Sequence, residues 1–157
     1  MRWNRTCPPA WNRASARSKV QSMGARARQV RDGKRPRFRE SRLDAAEKAF
    51  LHANARYEGS PDHKRNPGDF GLTPPANPRK DKTLCDEAEV CLRAQAMALF
   101  ARAIDGGLVS EGTGRHEFPR RMWLVHDNRV FELKLGGSLA GSYHGYPVRR
   151  STQYYDL

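Results

Sequence analysis

Apolar side chains are distributed unevenly along these 157 residues, and the unevenness outlines a fold. Residues 1–40 show no sustained period of 2 or 3.6; Trp3, Trp11, Val20, Val30 and Phe38 stand as isolated large apolar positions. So sparse a segment buries too little surface to offset its ordering entropy, and a disordered tail is expected there. From Ser41 to Tyr57 the pattern changes. Leu43, Ala46, Phe50 and Ala53 recur at helical spacing, Ser41 is placed to cap the helix, and Gly59 follows its end. Residues 58–85 then form a long loop, because Pro61, Pro67, Pro74, Pro75 and Pro78 forbid a continuous helix or a central strand. Phe70 and Leu72 are expected to pack that loop across the body as a strap.

A second helix is predicted from Asp86, which forms a capping box with Glu89, to the stop at Gly106-Gly107. Val90, Ala94, Met97, Ala101 and Ile104 form its inner stripe, widened by Leu92, Ala96, Leu99 and Phe100. Beyond it the period switches to 2. Met122 and Leu124 alternate with Trp123 and Val125, and Phe131, Leu133 and Leu135 alternate with Glu132 and Lys134. The two runs meet at Asp127-Asn128, residues that tolerate the left-handed backbone of a hairpin turn. "SYHGYPV" (142–148) supplies a last strand, closed by Pro147. The fold expected is α+β: two helices followed by a three- or four-stranded antiparallel meander, one small domain over 41–157 with its helices on one sheet face.

Charge modifies this picture in one respect. The formal net charge is +12, but 13 of the 29 Lys/Arg residues fall in residues 1–42 against Asp32 and Glu40 alone; the remainder holds 16 basic and 15 acidic residues. Basicity is a property of the tail. Such an arm either grips phosphates or is a dispensable extension, and a basic body is excluded. No run of 18 apolar residues and no signal-like h-region is present, so a cytoplasmic protein without a membrane span is expected. Cys7, Cys85 and Cys91 do not make a disulfide framework, and reduced thiols are expected. The five histidines lack the paired short spacings of a zinc site, and no phosphate-binding glycine loop is present; neither a metal nor a cofactor is expected.

Candidate chemistry gathers on the sheet face opposite the core. Depending on register, Tyr143 or His144 joins Trp123, Glu132 and Lys134 there, with Tyr146, Arg120 and Arg121 nearby. Arg79 and Lys82 in the loop are further candidates for an anion. Two functions follow. An aromatic sheet face with basic flanks makes a binding module for RNA or for a protein partner. Alternatively, His144 as acid/base, with Tyr143 or Tyr146 as helper and Arg121 and Lys134 on phosphate, makes a metal-independent ribonuclease of toxin type. The plain alternative is that Tyr and His line a half-exposed strand end because each has an apolar body and a polar tip.

The ordered blocks "PRKDKTLCDEAEV", "ALFARAIDGGLVSEGTGRHEFPRRMWLV" and "SYHGYPV" resemble those of a group of small bacterial proteins, over roughly residues 70–148. This resemblance implies no activity, cofactor or catalytic residue. In layout alone, helices before an antiparallel sheet are also similar to barnase-like ribonuclease toxins, with no motif in common.

Overall fold

The computed structural model describes residues 37–112, 117–136 and 139–149. The tail expected over 1–36 lies outside them, whereas residues 37–40, assigned to that tail, belong to the fold. Phe38 bridges Ser110 and lays its ring edge-on against Trp123 at 4.6 Å. Arg39 grips the Glu47 carboxylate at 2.6 and 2.8 Å and also donates to the carbonyls of Ser41 and Arg42. A helix begun at Ser41 would need those two carbonyls. The first helix, α1 (Ala45–Asn54), is therefore capped by Asp44, whose carboxylate accepts the Glu47 N–H while Glu47 accepts the Asp44 N–H. Its inner face is narrower than the predicted stripe. Leu51 and the preceding Leu43 are buried, Ala46 and Ala53 are exposed, and Phe50 leans out onto Phe118.

Directly after α1, Arg56–Tyr57 forms β1, a two-residue strand that no alternating pattern announces because it is too short to carry one. The loop from 58 onward is a strap tightened by three 3₁₀ turns, Pro61–His63, Pro67–Phe70 and Cys85–Ala88. Phe70 is its anchor in the core, with Leu72 packed beside it. Lys64 is the polar anchor. Its ammonium, fully buried, bonds Asp86 at 2.9 Å and the carbonyls of Cys91 and Val90 at 3.0 and 3.3 Å, and lies 4.5 Å over the Phe70 ring.

That anchor relocates the second helix. Asp86 is taken by Lys64 and by the Arg65 N–H, so it does not cap a helix, and Lys64 holds the carbonyls of Val90 and Cys91. Glu89, the proposed partner in the box, turns left-handed at φ 60°. Consequently α2 runs only Arg93–Gly106, with the Gln95 side chain accepting the N–H groups of Cys91 and Leu92. Its buried residues are Ala96, Leu99, Phe100, Ala103 and Ile104, while Ala94 and Met97 face outward. The later start and this rotated face correct the predicted stripe; the Gly107 stop is as expected, with φ 66°.

Three strands complete the sheet: β2 (Arg121–His126), β3 (Arg129–Leu135) and β4 (Ser142–Pro147). The β2–β3 turn has Asp127 and Asn128 both at positive φ, the geometry that matches strand twist. The sheet order is β1-β4-β3-β2, with β4 antiparallel to β3 but parallel to β1. The sheet is therefore mixed rather than a pure antiparallel meander. Parallel pairing requires a long crossover, and the strap, α2 and the hairpin provide it. Gly141 opens β4 at φ 75°, where a β-carbon would fall 2.7 Å from the Phe118 ring and 2.9 Å from the Asn54 carbonyl.

Strand alternation sorts the side chains cleanly. Met122, Phe131, Leu133 and Tyr143 join Tyr57, Leu99, Phe100 and Ile104 in the main core. Cys85 is a free thiol buried there, its Sγ against the Gly145 carbonyl, and burial pushes it up to about 12. Cys91 is buried as well. Among the described residues no helix is long and apolar enough to cross a membrane.

Candidate functional site

Register places the second sheet face in three rows. Arg121, Lys134 and His144 are mutual partners in the first; Trp123, Glu132 and Tyr146 make the second. Val125 and Val130 follow in the third. Period 2 thus puts His144 on this face and Tyr143 on the other. Tyr143 is 1% exposed in the core, its hydroxyl donating to the Pro119 carbonyl at 2.6 Å. It is removed from any site His144 forms.

Glu132 organises the face. Though buried, its carboxylate accepts the Arg121 guanidinium at 2.7 Å, the Tyr146 hydroxyl at 2.5 Å and the Trp123 indole N–H at 3.1 Å. Three donors satisfy one charge, as a buried carboxylate requires. The aromatic rings are not open. Trp123 is 1% exposed beneath Phe38, in a satellite cluster with Val130. Tyr146 is covered by the ring of His63, stacked at 4.3 Å with the planes 12° apart. Bases cannot stack on a surface already occupied, so the expectation of an aromatic platform fails at both rings.

His63 is the residue that sequence reasoning missed. It comes from the first 3₁₀ turn of the strap, next to Lys64, and its ring lies 6.3 Å from that of His144 with the planes 18° apart. Its Nδ1 is 2.8 Å from the Thr83 carbonyl. A carbonyl only accepts, so Nδ1 carries the hydrogen and Nε2 is the basic nitrogen of the neutral ring. The only local sign of it is "DHKR", where a histidine precedes a lysine; no spacing links it to His144.

Around these two rings lie cations. Lys134 is exposed beside His144 in the register, and Lys82 approaches from the strap. Neither is in an ion pair among the described residues. Burial pushes His144 down to about 4, aided by His63, Lys134 and Lys82 and opposed by Asp62. His63 is lowered as well, chiefly by burial, with the Thr83 bond and Asp62 working against that and Lys82 and Arg79 adding to it. Near neutrality the site therefore holds two neutral imidazoles between positive lysines.

The remaining candidates are more peripheral. Arg79 is exposed and pairs with Asp81 at 3.3 Å, and Arg149 donates to the Asp81 carbonyl, tying this loop to the end of β4. Arg120 is exposed just before β2, and Arg121 is committed to Glu132. Among the described residues no group of three or more His, Cys, Asp or Glu is placed to hold a metal ion.

These shifts fix a pH dependence of stability. Each histidine is harder to protonate when folded than when unfolded, so the unfolded chain binds more protons between the two values. The contribution is complete above pH 6.5 and is lost as pH falls from 6.5 towards 4, on the order of 3 kcal/mol for His144. Glu47 acts in the same direction but over a lower pH window. Arg39 and the Asp44 N–H hold it at about 2, so its contribution persists until pH drops below 4.5. Urea unfolding of the parent between pH 7 and 5 is expected to lose stability steadily, and His144→Gln to flatten that slope. An equal slope in both would show that His144 is not the group titrating.

Comparison of the chain with family models, with curated proteins and with solved structures finds no match.

Proposed function

We propose that this protein is an RNA-binding module that holds backbone phosphate at the corner formed by His144, His63, Lys134 and Lys82. The observation that carries the reading is the convergence of two imidazoles and two lysines that form no ion pair among the described residues, brought from the strap and from the centre of the sheet. A phosphodiester supplies the missing counter-charge, and its presence makes both imidazoles easier to protonate, adding charge-assisted donors as it binds. Arg79 and Lys80, both exposed, extend the positive surface along the loop. Backbone contact of this kind positions a strand without reading its sequence. A protein partner on an aromatic face has less support, because the rings that would anchor it are covered from within.

The test is fluorescence anisotropy with a short labelled single-stranded RNA across a salt series. Affinity is expected to fall steeply with salt, and Lys134→Glu to weaken it about tenfold while reducing the salt slope by about one phosphate contact. Lowering the pH from 7.5 to 6 should tighten binding. Unchanged affinity in a Lys82→Glu, Lys134→Glu double variant would remove this corner as the binding site.

A further inference from the structure

We infer that His63 and His144 act together as the acid and base that cleave the RNA held at this corner, an activity that rests on the RNA-binding reading above. Cleavage within the strand needs two proton carriers on opposite sides of one phosphorus, with positive charge beside it. The two rings lie 6.3 Å apart, and each nitrogen needs to be roughly 2.6–3.2 Å from the oxygen it serves. Rings whose centroids are this close and whose planes are nearly parallel can each offer one nitrogen, along a shared edge, to the two apical oxygens of a single phosphoryl group. Lys134 and Lys82 flank it and meet the charge that builds on the non-bridging oxygens.

The environments of the rings differ, and this assigns their roles. His144 makes no hydrogen bond to another residue among those described, and burial with its cationic neighbours keeps it neutral. It is the base. His63 is anchored through its Nδ1–H to the Thr83 carbonyl, a bond that favours the charged ring, and Asp62 acts in the same sense. It is the acid, loaded as imidazolium when the phosphate adds its negative charge. Its ring is braced flat by Tyr146, whose hydroxyl is fixed by Glu132.

The step balances without an oxidant, reductant or added group. The ribose 2′-hydroxyl gives its proton to His144 as its oxygen bonds to phosphorus. The bond from phosphorus to the 5′-oxygen breaks, and that oxygen takes the proton from His63. The products are a 2′,3′-cyclic phosphate and a free 5′-hydroxyl. Proton exchange with water restores both rings.

The experiment uses the full chain in EDTA with an end-labelled RNA of mixed sequence, the same RNA carrying one 2′-deoxy sugar, and parallel binding and melting measurements. Cleavage to cyclic-phosphate ends, blocked at the deoxy position and fastest below pH 7, is the expected result. His144→Asn and His63→Asn are each expected to slow cleavage of saturating RNA by at least a hundredfold, with RNA bound more weakly but still held by Lys82 and Lys134. If His63→Asn melts early, His144→Asn alone decides. RNA that is bound but left intact, or cut equally by His144→Asn, overturns the inference and leaves the binding reading standing. RNA that is not bound overturns both.

Discussion

Lys64→Met is expected to destabilise the fold by about 3–5 kcal/mol, the cost of leaving a buried ion pair half-made. Methionine fills the space over Phe70 but supplies no donor. Asp86 loses its buried counter-charge, and the carbonyls of Val90 and Cys91 lose the ammonium they share. Because those groups pin both ends of the strap, the loss spreads from residue 64 to the start of α2. Urea titration measures it directly, and the melting point should drop by roughly 10–20 °C for a fold of this size. Asp86→Asn in the same chain removes the charge that Lys64 had balanced and should cost less than the two single losses added together. A Lys64→Met protein within 1 kcal/mol of the parent would mean that apolar contacts at Phe70 hold the strap unaided.

Glu132→Leu is expected to cost a similar amount, about 3–5 kcal/mol, for the opposite reason: one acceptor goes and three donors stay. The Arg121 guanidinium can turn outward to water, since its side chain is 30% exposed. The Trp123 indole N–H cannot, enclosed as it is by Phe38. Glu132→Gln separates charge from shape. Its oxygen can serve one side of the cluster, but its NH2 group then confronts another donor, so a loss of about 2 kcal/mol is expected. Near-ultraviolet circular dichroism should report the loosening of Trp123 in both variants, alongside denaturant unfolding. If Glu132→Leu proved as stable as the parent, the carboxylate would not be the keystone of this face.

The sequence made local features legible and left distant ones hidden. The hairpin at Asp127-Asn128, the stop at Gly107 and the opposition of Glu132 and Lys134 to Leu133 all follow from neighbours within a few residues. So does the sheet face itself, because strand alternation is a local rule. The start of α2 was misread for a non-local reason: Asp86 looks like a cap until Lys64, far back in the chain, claims it. His144 and Tyr143 could not be told apart before the β3–β4 register was known, since a one-residue slip exchanges the faces. Trp123 looked like an open platform because nothing near it in sequence indicates that Phe38 lies on top. His63 was hidden for the same reason, being carried to His144 by a strap whose path proline spacing does not encode.

The parallel pairing of β1 with β4 bears on how the chain reaches this state. Arg56 and Tyr57 find their partners only at Ser142 and Tyr143, so a ribosome must deliver nearly the whole described segment before the edge of the sheet can close. The hairpin of β2 and β3 can form early from contacts close in sequence, but the first helix and its short strand have no sheet to join until β4 emerges. Closure of so long a loop comes late and sets the pace. Until then His63, carried by the strap, has no His144 beside it. The corner is thus among the last parts of the molecule to assemble, and an incomplete chain would lack the paired histidines.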